Sequence, residues 1–228
     1  GIAGNNFLLN GKMVYCCSDS TVSTVGSKSA EGKMSPRNML TTTIGDELKI
    51  ATDFKAKVIG VSLKDRAAIL PAGHAADGAY WIDYSTGTFI SSTYYMKELP
   101  KWAVDYNKSI GKVTKDQICY TPLGNKITEE MAKAAVAGEQ LGGDNVTDLL
   151  AVSFSCTDMI GHKYGTHSDK TREIYVDLDK RLADLFGYLD QNVGKDQYLV
   201  FLMADHGAAN SILLSREHGI AAARFGAS

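Results

Sequence analysis

The feature that most constrains the fold is an uninterrupted apolar run at residues 198–204, YLVFLMA, which ends abruptly in the sequence DHG. Seven residues are too few for a typical helix but have the length of a strand. An apolar side chain at every position indicates a strand that is covered on both faces, as in a parallel sheet. Residues 57–63, KVIGVSL, and residues 149–155, LLAVSFS, have the same character. The sequence therefore predicts three buried strands.

Each of these strands is preceded by a helical pattern. Ser35 and Pro36 are expected to open the first helix, and Thr128 is expected to cap a second helix that ends at Gly142. Ser168 caps a third, in which leucines recur at three- and four-residue steps. Repeated helix-then-strand units predict an α/β fold, a three-layer α/β/α sandwich around a mostly parallel sheet.

The middle of the chain has a different pattern. Residues 79–84 and 88–95 are aromatic and β-branched and flank Ser85, Thr86 and Gly87, which predicts a β-hairpin. We expect a small subdomain beside the main sheet. The whole chain, 1–228, is expected to form a single catalytic core, with residues 67–127 as a cap-like insertion that contains the hairpin.

Composition excludes several classes of protein. The net charge of −2 gives no sign of a nucleic-acid or membrane-surface partner, and 44% hydrophobic residues are ordinary for a globular chain. No apolar run approaches the roughly 20 residues that span a bilayer, and no signal peptide is visible. The four cysteines show no C-x-x-C spacing, which argues against a zinc finger or ribbon.

Chemically capable side chains follow each predicted strand. They are Lys64 and Arg66 after the first strand, Asp158 and His162 after the second, and Asp205 and His206 after the third. Ligands bind outside the carboxyl ends of strands in open α/β sheets, so we expect these side chains to share one edge. Carboxylate and imidazole groups are suited to zinc, and two such pairs could hold two metals about 4 Å apart. Lysine and arginine two residues apart could bind the oxygens of a phosphate.

Taken singly, each feature has a simpler interpretation. The Asp-His dipeptide is as readily a solvated strand end, and the lysine and arginine are more often part of a solvated turn. Asn5, in the opening GIAGNN, is more often part of an Asx-turn than a ligand contact. Gly161 is expected to loosen the backbone between Asp158 and His162, so that both side chains can turn towards one ion. The functional interpretation depends on recurrence at three strand ends.

The motifs GIAGNN, VSLKDRAAILPAGH, FSCTDMIGH and LMADHG span nearly the whole chain. With them the chain resembles the alkaline phosphatase superfamily, in particular its threonine-nucleophile branch of nucleotide pyrophosphatase/phosphodiesterases and phosphate-irrepressible alkaline phosphatases. The resemblance implies that Asn5, Lys64 and Arg66 contact the phosphoryl group, the last two favouring monoesters over diesters. It also assigns the residues that ligate zinc. These are Asp158 and His162 for one ion and Asp205 and His206 for the other.

The same resemblance implies a zinc-dependent phosphomonoesterase with two zinc ions, acting on small-molecule phosphate monoesters through a covalent phospho-threonine. The family's nucleophilic threonine and a further metal-binding Asp precede GIAGNN, and a last His ligand follows DHG. None has a match here, so we expect an incomplete version of the family fold that cannot turn over alone. Localisation in the periplasm or outside the cell follows from the family only. Two alternatives stay open, a phosphodiesterase of the same family and a non-catalytic domain that binds anions or partners.

Overall fold

A computed structural model describes residues 4–208, 210 and 212–223 of the chain, with the side chain of Leu213 excepted. In this part, the strands are β1 (Asn6–Leu9), β2 (Lys12–Tyr15), β3 (Thr24–Val25), β4 (Val58–Ser62), β5 (Gly78–Asp83), β6 (Thr88–Ser92) and β7 (Leu149–Ser153). The helices are α1 (Ile44–Ala51), α2 (Asp65–Ala72), α3 (Lys101–Ile110), α4 (Lys115–Tyr120), α5 (Leu123–Glu139), α6 (Cys156–Tyr164), α7 (Asp169–Leu189) and α8 (Ile212–Glu217). A π-helical turn, Asp190–Gly194, continues α7.

The described strands form a five-stranded sheet in the order β3-β6-β5-β4-β7 and a separate hairpin, β1-β2. Strand β4 is parallel to both β5 and β7, with Val61 opposite Val152. Strands β6 and β3 extend the sheet in antiparallel fashion. The sheet is therefore mixed, parallel in the half that carries the predicted site and antiparallel in the other half.

Helices cover both faces of the sheet, which confirms the three-layer α/β/α architecture. All five residues of β4 are buried, and its successive side chains pack against the helical layers on opposite faces of the sheet. Ile59 and Val61 lie in the larger core cluster with residues of α3, α5 and α7. On the opposite face Gly60 lets α2 approach closely, since a Cβ there would lie 2.1 Å from the Ala68 carbonyl oxygen. Ala68 belongs to the second core cluster, with Trp81.

The predicted hairpin is present, but its place differs from the prediction. Strands β5 and β6 pair with each other, and β5 also pairs with β4, so the hairpin belongs to the main sheet. The expectation of a subdomain beside the sheet is wrong. Successive side chains of β5 point to opposite faces of the sheet, and both faces are covered. Tyr80 and Ile82 lie in one core cluster, whereas Ala79 and Trp81 lie in the other. A strand covered on both faces is an internal strand of the sheet.

The third predicted strand is not formed. Residues 198–204 belong to no strand. Most of their apolar side chains are exposed; the exposed fraction is 74% for Phe201 and 80% for Leu202. The Tyr198 hydroxyl fixes the start of the run by donating to Asp190 (2.8 Å). Strand β7 pairs with β4 on one side, and among the described residues no strand pairs with its other, outer edge. A strand needs a neighbouring backbone and covering side chains, so a strand-like sequence without them stays irregular.

Two predicted helix starts are also wrong, and one is right. The first helix, α1, begins at Ile44 behind a capping box of Thr43 and Asp46, and Ser35 is not its cap. Helix α5 begins at Leu123, so Thr128 lies inside it and its hydroxyl donates to the Gly124 carbonyl oxygen. The Ser168 cap of α7 is confirmed. No helix within the described residues is both long enough and apolar enough to cross a bilayer.

Candidate active site

The carboxyl ends of β4 and β7 lie side by side, and hydroxyl groups join them. The Ser62 hydroxyl at the end of β4 donates to the Ser153 carbonyl oxygen (3.0 Å) and lies 3.1 Å from the Ser155 hydroxyl. The Lys64 amide donates to the same Ser62 oxygen at 3.3 Å. Because the two strands are parallel and in register, α2 and α6 begin next to each other. This arrangement brings the chemically capable residues of both strand ends together.

Asp158 is the centre of the cluster, and α6 places His162 one turn further along the same face. The His162 Nε2 atom lies 3.1 Å from Asp158 Oδ1. Gly161 is part of this helix and does not loosen the backbone, so the predicted loop is wrong. Instead, helical geometry brings residues four apart together. The Lys64 ammonium donates to Asp158 Oδ2 in a close ion pair, with the two side chains 18% and 26% exposed.

The electrostatics of the cluster favour an ionised Asp158. Partial burial alone would raise the pKa of its carboxyl group. The hydrogen bond and charge of Lys64, together with His162 and His206, outweigh burial and hold this pKa below its ordinary value. Asp158 is therefore a carboxylate at neutral pH, which is the form that a metal ion requires.

The segment that follows the unpaired apolar run reaches the same cluster. The His206 Nε2 atom lies 3.9 Å from Asp158 Oδ1 and 3.5 Å from Asp205 Oδ2. The other ring nitrogen, Nδ1, lies 2.9 Å from the Gly207 carbonyl oxygen. When Nδ1 carries the proton and donates to that oxygen, Nε2 presents its lone pair, as a metal-ligating imidazole does. Asp205 lies at the periphery, with its side chain 89% exposed.

The donor set fits a divalent metal in its chemistry. Asp158, His162, Asp205 and His206 are joined by atom-to-atom distances of 3.1–3.9 Å and supply oxygen and imidazole nitrogen, the ligands that zinc takes alongside thiolate. Lys64 forms an ion pair with the other oxygen of Asp158. Within the described residues, no three His, Cys, Asp or Glu side chains form a group ready to hold a metal.

Arg66 lies in the first turn of α2, and its environment involves two residues that the sequence did not single out. Its Nη1 atom donates to the Tyr15 hydroxyl at 3.4 Å, and that hydroxyl donates to Asp65 Oδ1 at 2.7 Å. The sequence does contain a signal for Asp65, because it lies directly between Lys64 and Arg66. Tyr15 ends an exposed hairpin strand, and no sequence signal connects it with a residue 51 positions away.

Asn5 is joined to this region through the hairpin. The residue is exposed, and its carbonyl oxygen accepts from the Cys16 amide at 2.9 Å. Asn5 therefore lies at the hairpin end that also carries Tyr15. No contact joins Asn5 to Lys64 or Arg66 among the described side-chain hydrogen bonds.

Comparison with known proteins identifies relatives over most of the chain. The model of the family described as type I phosphodiesterase / nucleotide pyrophosphatase matches residues 1–218. The chain is 43% identical to alkaline phosphatase PafA of Elizabethkingia meningoseptica over 96% of its own length and 50% of that protein. It is also 43% identical to alkaline phosphatase PhoV of Synechococcus elongatus, over 92% of the chain and 47% of the relative.

Solved structures agree with the sequence comparisons. The crystal structure of wild-type PafA superposes with a TM-score of 0.92 at 43% identity, covering 96% of this chain and 52% of that one. A PafA variant with a threonine, an asparagine, a lysine and an arginine replaced matches equally well, with a TM-score of 0.92 at 42% identity and coverage of 97% and 53%. The chain thus spans about half the length of the relatives it matches.

Proposed function

This chain belongs to the type I phosphodiesterase / nucleotide pyrophosphatase family, and on that basis we propose that it is part of a zinc-dependent phosphomonoesterase. The family includes relatives named alkaline phosphatases, to which the chain is up to 43% identical. The proposed substrates are small-molecule phosphate monoesters. The proposed nucleophile is a threonine outside these 228 residues, and the proposed location is the periplasm or the cell exterior.

One observation carries the proposal, namely that a lysine ammonium lies beside a group of carboxylate and imidazole side chains at the carboxyl ends of β4 and β7. Lys64 lies against Asp158, which also faces His162 and His206. Phosphoryl transfer requires positive charge at the phosphate oxygens and a metal beside the attacking and leaving oxygens. A cluster of purely structural ion pairs has no reason to combine these groups at the edge where α/β proteins bind their ligands.

The chain's own residues would act as follows. Asp158 and His162 would hold one zinc ion, and Asp205 and His206 the other; bound zinc would supply Lewis acidity towards the ester oxygens. Lys64 and Arg66 would bind the non-bridging oxygens of the phosphate and offset their charge. A second ester group would occupy the place of one charged oxygen and leave a cation unmatched, so the pair favours monoesters.

The roles of three residues receive support from the PafA variant. The lysine and arginine replaced in it are separated by one residue, as Lys64 and Arg66 are, and the asparagine precedes them as Asn5 does here. Residues chosen for removal together are candidates for one shared site. Asn5 would contribute a neutral amide donor to a phosphoryl oxygen.

A phosphodiesterase is the second candidate, and the description of the matching family favours it. The third is a non-catalytic domain that binds anions or partners on the same scaffold. Hydrolysis of p-nitrophenyl phosphate and of bis-p-nitrophenyl phosphate separates the three. The protein to assay is a polypeptide of the relatives' length that contains these residues, with the 228-residue chain beside it.

We expect the longer polypeptide to hydrolyse the monoester faster than the diester, to lose activity with a chelator, and to regain it with zinc. The 228-residue chain should show no turnover. A preference for the diester would refute the role given to Lys64 and Arg66. Hydrolysis of neither ester would favour the non-catalytic domain.

A further inference from the structure

The guanidinium group of Arg66 is half-buried yet forms no ion pair with any carboxylate among the described residues. Its one hydrogen bond among the described residues goes to the Tyr15 hydroxyl, which accepts from Nη1 at 3.4 Å. A guanidinium group has five N–H donors, so most of them are uncommitted. Arg181, by comparison, forms ion pairs with Glu129, Asp177 and Asp184. Arg66 thus keeps its charge available for a ligand.

The Tyr15 hydroxyl connects Arg66 to the carboxylate of Asp65. It accepts from Arg66 and donates its own proton to Asp65 Oδ1 at 2.7 Å. Burial raises the pKa of Tyr15 well above its ordinary value, and the Asp65 carboxylate raises it further. The hydroxyl therefore keeps the proton that it donates. A neutral group, not a carboxylate, orients the guanidinium, and the charge of Asp65 is satisfied without an ion pair to Arg66.

Tyr15 is itself held by packing and by the hairpin. Its ring packs against the core cluster that contains Ala68 and Ile69 of α2. In the hairpin it pairs with Asn6, and the next residue, Cys16, donates its amide to the Asn5 carbonyl oxygen. An isolated two-stranded hairpin is marginal in water, so this contact with α2 fixes its position.

We propose that Tyr15 is a positioning residue for anion binding by Arg66, in which its hydroxyl aims the guanidinium group while leaving the positive charge unpaired. The inference rests on the proposed function, because it takes the anion to be the phosphate group. An ion pair with a carboxylate would aim Arg66 equally well, but a phosphate would then have to displace that carboxylate from the guanidinium group. A hydroxyl orients the group and leaves its charge in place.

The test measures binding of inorganic phosphate to the 228-residue chain by calorimetry, in metal-free buffer of low ionic strength. Tyr15→Phe keeps the ring and removes the hydroxyl, and we expect it to weaken phosphate binding roughly three- to tenfold. The matched control is Tyr95→Phe. Tyr95 packs against the same core cluster, and its hydroxyl has no hydrogen-bond partner among the described residues, so phosphate affinity should not change.

Two further measurements separate positioning from a structural role. In an Arg66→Met background, Tyr15→Phe should cause no additional loss of phosphate affinity, because the hydroxyl acts only through Arg66. In ¹⁵N-arginine spectra, the side-chain resonance that Arg66→Met removes should be sharp in the unsubstituted chain and in Tyr95→Phe. In Tyr15→Phe, where the guanidinium group of Arg66 can rotate, the same resonance should be averaged by that rotation.

The outcomes distinguish this proposal from the proposed function. If Arg66→Met leaves phosphate affinity unchanged, or the unsubstituted chain binds no phosphate, the role of Tyr15 is refuted. The proposed function is decided separately, by the ester hydrolysis assays on the longer polypeptide. If Arg66→Met weakens binding but Tyr15→Phe does not, only the role of Tyr15 is refuted. An equal loss in both backgrounds, or a Tyr15→Phe chain that does not fold, would assign the hydroxyl a structural role and overturn the proposal.

Discussion

Asp83 should stabilise the fold by an amount that depends on pH in a calculable way. The residue ends β5 and is fully buried. Its carboxylate accepts from the Ser85 amide (2.8 Å), the Ser85 hydroxyl (2.6 Å) and the Ser27 hydroxyl (2.7 Å). Burial alone would raise the pKa of this carboxyl group, but these hydrogen bonds outweigh burial and lower the pKa to about 2 from an ordinary 3.8. The ionised form is therefore favoured by folding.

The magnitude follows from that difference in pKa. At about 1.4 kcal/mol for each pH unit, lowering the pKa from 3.8 to about 2 stabilises the folded state by about 2 kcal/mol. The contribution is fully present above the unfolded-state pKa, near pH 4, and is lost as the pH falls towards 2. Asp83→Asn cannot titrate. Its deficit in the free energy of unfolding should therefore be about 2 kcal/mol at pH 7 and should shrink as the pH falls from 4 to 2.

Urea unfolding of the 228-residue chain at several pH values measures this deficit. The control is Asp179→Asn, at an exposed position of α7, which should change the free energy of unfolding by less than about 0.5 kcal/mol at each pH. A deficit for Asp83→Asn that stays constant between pH 4 and pH 2 would refute the reasoning. So would no deficit at pH 7.

Two other predictions concern the unpaired run and the proposed phosphate site. Phe201→Ser should change the free energy of unfolding by less than about 0.5 kcal/mol, because the Phe201 side chain is exposed. Ile59→Ala, in the buried strand β4, should lower the free energy of unfolding by about 2–5 kcal/mol. Equal losses for the two variants in urea unfolding would contradict this structure. Lys64→Met should weaken binding of inorganic phosphate by about tenfold or more in calorimetry, because it would remove the proposed charge-assisted contact with the anion. Lys170→Met, on the exposed face of α7, should not change phosphate affinity. Unchanged affinity for Lys64→Met would exclude the lysine from the site.

The sequence predicted those parts of the fold that a short stretch of residues specifies by itself, such as a continuous apolar run or a helix cap. Strands β4 and β7 were predicted because nearly all of their residues are apolar, and the start of α7 because Ser168 caps it. The run at 198–204 has an equally apolar sequence, yet it forms no strand. Strand formation depends on a neighbouring backbone, and a sequence window carries no information about whether that neighbour is present.

In the candidate site, too, some features could be predicted from the sequence and others could not. The clustering of Lys64, Asp158 and His162 could be predicted because the ends of neighbouring strands in a parallel sheet share an edge. His206 reaches the same cluster although the strand predicted before it is not formed. The ion pair between Lys64 and Asp158 could not be predicted, because 94 residues separate the partners. The contact of Tyr15 with Arg66 depends on how an exposed hairpin packs on a helix, which no pattern in either segment specifies.

Titration of zinc into the purified 228-residue chain, with a competing chelator to define the affinity, tests the central claim most directly. We predict that the unsubstituted chain binds zinc, that Asp158→Asn weakens binding by about tenfold or more, and that Asp179→Asn does not. Asp158 is decisive because it faces both His162 and His206. A chain that binds no zinc, or binds it equally well as Asp158→Asn, would contradict the assignment of these residues as a metal centre.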